Sequence, residues 1–464
     1  MSKRINVNAF EMATPGHINQ GVWRVPGSRR VEYNSLAYWI DLARTLERGL
    51  FDGIFFADVL GTYDIYQQQR DPAVRSGVQI PNLDPTYIIP AMAAVTKHLG
   101  FAATVTTTYE PPFGWARRLA TLDHLTQGRF AWNVVTGYLP DAAKSFGWDE
   151  HPEHDERYDR AEEFMEVVYR LLERSWDDDA VLKDVERGVY TEPSRVHEIA
   201  FEGEYYRAQG PSLSEPSPQR TPLIFQAGTS DRGKAFAAKH AEAIIMHPRD
   251  EYHAKEHVDD LRARAVKNGR RAEDIKPFIR IETITGHNQE EVDAKIRILD
   301  EARDVEGQLA AFGGWANIDL SGETTDKYLQ FQKRGAIQSI EQMWTDEGNQ
   351  KNTAELVDYL SKPSNDRLFV AGTPDQVANR IEEIVDISGV DGLNLTSHLS
   401  PGTIDDFVDL IVPELQRRGR YRTAYTPGET FRERLYGAGQ RHVLPGHAAA
   451  PIAAKRRQRA EAAE

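Results

Sequence analysis

Apolar and polar residues follow two rhythms along this chain, and the rhythms alternate. Residues 101–137, FAATVTTTYEPPFGWARRLATLDHLTQGRFAWNVVTG, read as strand, helix, strand. Residues 101–108 are rich in Thr, Val and aromatic side chains, which suit a pleated strand. Pro111 and Pro112 stop it. Over 113–126, Trp115, Leu119 and Leu122 recur at helical spacing, and Gln127-Gly128 closes the helix. Residues 129–136 return to strand. Two strands joined by one helix in so short a span are predicted to be parallel, with a right-handed crossover.

The same alternation predicts six more strands, at 4–10, 51–58, 223–228, 243–247, 278–286 and 392–397. Helices are expected over 36–49, 85–99, 155–175, 234–240, 254–267, 374–387 and 404–419, with residues 370–374 opening the second last. Eight short strands, each followed by a helix, predict an α/β chain folded as a (β/α)8 TIM barrel with long insertions. An open doubly wound sheet is the alternative. One barrel domain spans 1–425, with insertions near 60–84, 176–222 and 289–363. Residues 426–464 form a C-terminal extension, whose last twenty residues, Ala-rich and carrying Lys455-Arg456-Arg457, read as a solvated tail.

Composition narrows the function. The 464 residues are 40% hydrophobic and 27% charged, as in a globular protein. A net charge of −15 argues against nucleic acid or anionic membrane as the main partner. The absence of Cys excludes disulfides, thiolate metal sites and iron–sulfur clusters, and fits the cytoplasm. No apolar run is long enough for a secretory signal or a membrane span.

In a barrel of this kind the ligand sits on the carboxyl ends of the strands. Those ends carry Asp58, Thr104–Thr108, Asn133–Thr136, Ala227–Ser230, Met246-His247 and Thr396–His398. Amides, hydroxyls and imidazoles with one carboxylate suit a flat polar ring. They lack the acid pair of a glycosidase and the Lys of a Schiff-base aldolase. Gly228-Thr229-Ser230-Asp231-Arg232-Gly233 opens a helix after a buried strand. It reads as a phosphate cradle in which Arg232 takes part, or as an ordinary N-cap. His151 and His154 do not share a helix face, so no metal site is expected. His154 and Tyr158, at i and i+4, face one way.

Longer blocks carry a resemblance: ARTLERGLFDGIFFAD (43–58), residues 91–137, EHDERYDRAEEF (153–164) and SPQRTPLIFQAGTSDRGKAFAAKHAEA (217–243). From about Arg4 to Tyr425 the sequence resembles the bacterial luciferase-like flavin monooxygenases, in the long-chain group acting on sulfides, sulfones, aminopolycarboxylates and cyclic amides. The resemblance implies an FMN-dependent barrel. It maps the flavin contacts onto Asp58, Thr104, Asn133, His154, Tyr158, Ala227, Gly228 and Ser230. It implies the oxygenase half of a two-component system: a separate NAD(P)H:flavin reductase supplies reduced FMN, and O2 donates one atom to a small organic substrate, an organosulfur compound such as dimethyl sulfide or a sulfone. An amine or other nitrogen compound, a deazaflavin-dependent oxidoreductase and a non-catalytic flavin-binding protein are the alternatives. Relatives imply a homodimer or homotetramer. Phe10, Phe56, His17 and the 60–84 loop are expected to line the substrate pocket, with His17 handling protons.

Overall fold

Eight parallel strands close on themselves: β1 (Asn6–Met12), β2 (Gly53–Ala57), β3 (Gly100–Thr106), β4 (Phe130–Val135), β5 (Leu223–Gln226), β6 (Ala243–Met246), β7 (Lys276–Thr285) and β8 (Gly392–Thr396). A computed structural model describes residues 3–322, 337, 351–362 and 366–463. β1 pairs with β2 on one side and with β8 on the other, and β6 pairs with β7 to complete the ring. The fold is thus the expected (β/α)8 barrel.

Period-two alternation gives the wall two faces. Val7, Ala9, Ile54, Phe101, Trp132, Ile244, Ile279 and Leu393 point outward into one large apolar layer shared with the helices. Phe10, Phe55, Ala102, Ala131, Phe225, Ile245 and Phe278 point inward. Helices Leu36–Arg48, Pro85–Ala94, Pro112–Leu125, Asp231–His240 and Glu251–Lys267 cover the outer face. Their boundaries follow local chemistry. Asp84, Ser230 and Asp250 each cap a helix by accepting a backbone N–H.

Four features differ from the sequence expectation. Of residues 370–374, expected to open a helix, the first three belong to a strand (Phe369–Gly372) that pairs with the upper half of β7, Glu282 to Thr285. The helix starts only at Pro374, behind a Thr373–Gln376 capping box. The helix expected over 155–175 is α-helical over His154–Tyr169 and continues as a π-turn, Arg170–Arg174. The 60–84 region is not a plain loop. It carries a helix, Asp71–Ser76, and buries Tyr63, Tyr66, Ala73 and Val78 against Leu309, Phe312, Leu356 and Leu360 of the 289–363 insertion. The two excursions therefore form one roof over the barrel mouth. Residues 323–336, 338–350 and 363–365 of that insertion lie outside the described residues. The 176–222 insertion holds two antiparallel hairpins, Val181–Asp184 with Val189–Thr191 and Ile199–Glu202 with Arg207–Gly210.

The fourth difference is in the C-terminal extension, whose last twenty residues are not a solvated tail but carry a partly buried helix. Phe431 plugs the base of the barrel among Phe225, Phe278 and Phe55. Gly53 and Gly100 make room for its ring: a Cβ on either would come within 2.8 Å of it. Arg432 forms a fully buried pair with Glu242, Nε to Oε1 at 2.7 Å, and Tyr436 donates to the Glu242 carbonyl at 2.7 Å. The final helix, Ala450–Ala463, buries Arg456 against Glu173 at 3.1 Å. Among the described residues no helix is long and apolar enough to cross a membrane.

Phe431→Ala is expected to cost about 3–5 kcal/mol in urea unfolding, because the rigid β-wall cannot collapse into the hole. Leu125→Ala, at a side chain 58% exposed, is expected to stay within about 0.5 kcal/mol of the parent.

Candidate active site

A cavity of about 450 Å³ opens at the carboxyl ends of the strands, between the barrel and its roof. Phe10, His17, Asp58, Thr104, Asn133, His154, Tyr158, Ala227, Gly228 and Ser230 all border it. Phe56 does not, which corrects the expectation for that residue. β2 meets β1 with Phe55 opposite Phe10 and Phe56 opposite Glu11. Phe55 and Ala57 therefore face inward, and the Phe56 ring packs outward on Trp39 at 5.3 Å.

The strand ends present a graded set of hydrogen-bonding groups. The Thr104 hydroxyl donates to the Phe56 carbonyl at 2.7 Å and accepts from Asn133 Nδ2 at 2.8 Å. That leaves Asn133 Oδ1 buried without a partner among the described residues, as is Gln226 Oε1. Both are acceptors for ligand N–H groups. Thr106 also faces the cavity, two residues on from Thr104, whereas the Thr108 hydroxyl is spent on the Thr136 carbonyl at 2.7 Å. Asp58 accepts from Asn82 Nδ2 at 2.6 Å, and burial together with the Asp84 carboxylate raises it from 3.8 to about 7.

Opposite lies the expected cradle. His154 and Tyr158 open the His154–Tyr169 helix with ring centroids 5.2 Å apart. His154 Nε2 lies 3.4 Å from Ser230 Oγ, which caps the Asp231–His240 helix through Gly233 N–H at 3.1 Å. A Cβ on Gly228 would stand 2.5 Å from Gln226 Nε2 and 3.1 Å from the Tyr158 hydroxyl, so only glycine leaves this floor open. Arg232, expected in the cradle, is bound to Asp159 at 3.0 Å and does not border the cavity. Arg157 takes that place. It borders the cavity, is held by the Pro152 carbonyl at 2.8 Å, and keeps a buried Nε without a partner among the described residues. Hydroxyls, a helix N-terminus and a guanidinium together suit a phosphate.

The other half of the cavity holds residues the sequence did not single out. The Tyr63 hydroxyl donates to Gln79 Oε1 at 2.7 Å, meets the Tyr138 hydroxyl at 2.6 Å and accepts from Trp315 Nε1 at 3.1 Å. Gln79 Nε2 donates to the His17 carbonyl at 3.0 Å. This network ties the roof to the loop after β1. Beside it, Arg280 pairs with Glu282 and with Asp366 at 2.8 Å. His398 Nε2 lies 2.9 Å from Glu282. Burial alone would raise Glu282, but His398 and Arg280 outweigh it and hold the carboxylate well below its ordinary range. His17 is buried edge-on to Phe10 at 4.5 Å; burial and the nearby Arg30 and Arg280 charges lower it well below 6.5 and keep it neutral. Among the described residues no three His, Asp or Glu side chains converge to hold a metal ion. His151 is bonded to the Tyr109 hydroxyl at 2.8 Å instead.

The family model for luciferase-like monooxygenases matches residues 15–392, which spans β2 to β7 and reaches the first residue of β8. The chain belongs to that family. By class it is therefore a flavin-dependent monooxygenase, and the unpartnered acceptors and the phosphate-sized cradle fit a flavin mononucleotide. The long-chain alkane monooxygenase of Geobacillus thermodenitrificans (strain NG80-2) is 48% identical over 451 residues, 97% of this chain and 98% of that protein. The dimethyl-sulfide monooxygenase of Hyphomicrobium sulfonivorans is 44% identical over 452 residues, covering 97% and 94%. A solved riboflavin lyase with modified FMN superposes with a TM-score of 0.90 at 32% identity, covering 97% of this chain and 99% of that one.

The raised Asp58 has a consequence for stability. A carboxyl that ionises near 7 when folded and near 3.8 when unfolded binds more protons in the folded state across that window, so stability falls as pH rises through it. In urea unfolding at pH 5 and pH 8, the parent is expected to lose stability relative to Asp58→Asn. Parallel behaviour of the two proteins would contradict the assignment.

Proposed function

We propose that this enzyme uses reduced FMN and O2 to oxygenate a small, neutral, apolar substrate, an alkane or a thioether. The carrying observation is the state of the charges in the cavity. The charge of the buried Arg280 guanidinium is matched by Glu282 and Asp366, and the N–H groups of Arg303 are taken by Asn19 Oδ1 at 3.1 Å and the Leu360 carbonyl at 2.8 Å. Neither is left over for a substrate carboxylate, and an aminopolycarboxylate would have to break these pairs. Ile18, Leu60, Leu139, Phe312 and Ile337 supply the rest of that wall. Names of relatives agree: one acts on long-chain alkanes and another on dimethyl sulfide.

A bound reduced flavin supplies the electrons with which O2 is divided between substrate and water. The residues of the chain do the positioning. Asn133 Oδ1 and Gln226 Oε1 accept from the ring, Asp58 holds a proton near neutral pH, and Tyr158, Ser230 and Arg157 take the phosphate. The joined roof excludes water, which keeps the reducing equivalents on the substrate. The chain carries no dinucleotide fingerprint. A separate NAD(P)H-dependent reductase is accordingly proposed to deliver the reduced flavin.

Two outcomes test this. With reduced FMN supplied aerobically, mass spectrometry is expected to find an oxygenated product from an alkane or dimethyl sulfide and none from nitrilotriacetate; peroxide alone with every compound would overturn the proposal. Arg157→Met is expected to weaken FMN about tenfold or more while leaving riboflavin unchanged, as read by quenching of flavin fluorescence. Equal weakening of both would remove Arg157 from the phosphate site.

A further inference from the structure

His247, at the end of β6, was only one strand-end residue among many in the sequence. In the fold its imidazole is open to the cavity yet enclosed by the cavity walls: it borders the cavity, and its ring centroid lies 6.1 Å from that of Phe10. Arg280 Nε donates to His247 Nδ1 at 3.1 Å. A guanidinium is always a donor, so Nδ1 must be the unprotonated nitrogen, and the neutral ring must carry its proton on Nε2. Among the described residues no acceptor meets Nε2. The cavity wall thus holds an N–H donor of fixed tautomer that meets no acceptor among the described residues.

The support for this ring is expensive. Arg280 is clamped by Glu282 and by Asp366 at 2.8 Å; Glu282 is met in turn by His398 at 2.9 Å and Asn19 Nδ2 at 3.3 Å. Burying so many charges gives little net stability compared with apolar packing. It does fix the direction of the Arg280 fork, and hence the imidazole plane. The charged and titratable groups facing His247 are Arg280, Glu282 and His17. Burial, and then the Arg280 charge, lower His247 to about 3, so the ring stays neutral across the working range.

We infer that His247 Nε2–H is a hydrogen-bond donor to a neutral acceptor oxygen on a small molecule in the cavity, the oxygen that the product gains as an alcohol or sulfoxide. The assignment rests on the oxygenation proposed above. An anion is disfavoured because Arg280 is already matched by two carboxylates. A cation is disfavoured by the N–H itself. The donor sits beside Phe10 and next to charges already paired with one another, so it distinguishes a product that carries oxygen from a substrate that does not.

The test uses the full-length protein labelled with 15N-histidine, the His247 signals being assigned by their loss in His247→Gln. The imidazole is expected to show the Nε2–H tautomer with no titration between pH 5 and pH 8. Arg280→Met is expected to release the ring, giving mixed tautomers and a titration in that range. Dimethyl sulfoxide is the acceptor probe and dimethyl sulfide the same skeleton without oxygen. The sulfoxide is expected to shift Nε2, to bind about fivefold to tenfold more weakly to His247→Leu, and to retain its affinity for His247→Gln, which keeps an N–H. Dimethyl sulfide is expected to bind all three proteins alike. An Nδ1–H tautomer, a titration between pH 5 and pH 8 in the parent, or equal sulfoxide affinity in the parent and His247→Leu would overturn the assignment. None of these readings needs flavin. A parent that passes them yet forms no oxygenated product would sink the oxygenase reading alone.

Discussion

The pairing of the first barrel strand with the last decides everything that happens at the mouth. A parallel strand shows alternate residues to its two faces, so the β1–β8 and β1–β2 registers choose which side chains look inward. With Phe10 set against Thr396 on one side and Phe55 on the other, all three face the interior. A slip of one residue in β1 would put Glu11 there instead and tear it from Arg30, its buried partner at 2.5 Å. The ring of strands is thus held to one register by charge on its outside and by aromatic volume on its inside. Every cavity contact depends on that choice.

Two kinds of wall meet over the cavity. Backbone-anchored groups dominate one side: Thr104 is tied to the neighbouring strand, and Ser230 to the first turn of its own helix. Such groups barely move, which suits a cofactor that must present the same face to each substrate. The other side is built from side chains that meet across two excursions, Tyr63 from one and Trp315 from the other. A roof assembled this way can be altered without disturbing the barrel. Relatives similar to this chain over nearly their whole length are named for molecules as different as an alkane and a sulfide.

Much of this was legible in the sequence, for identifiable reasons. Strand and helix order followed from rhythm alone; Thr104 and Asn133 followed from the resemblance, and period two then places Thr106 on the face of Thr104. His154 and Tyr158 were placed together by helical spacing. The misreadings also have physical causes. GIFFA is apolar on both faces, because one face meets helices and the other the barrel core, so alternation could not separate Phe55 from Phe56. Arg280 and Glu282 escaped notice because β7 runs on beyond the mouth to pair with Phe369–Gly372; the level of the cavity falls in mid-strand, not at its end. Arg157 and Arg232 are equally good cations in sequence, and only the fold shows that one is already taken by Asp159. The last twenty residues looked solvated because their anchor is an arginine, Arg456, whose burial depends on a distant partner, Glu173.

The position of those anchors bears on how the molecule comes into being. The strand that closes the wall is residues 392–396 and the ring that seals its base is Phe431, in a chain of 464. A ribosome delivers residues from the amino end at about 5–20 per second. For most of that time β1 has an unpaired edge and the future interior has no floor. Early strands can collapse locally with their helices, but the wall cannot close before residues 392–396 and Phe431 have been made. The time spent with an open edge, and so the need for a chaperone, is therefore set by the carboxyl-terminal end of the molecule, far in sequence from the site it completes.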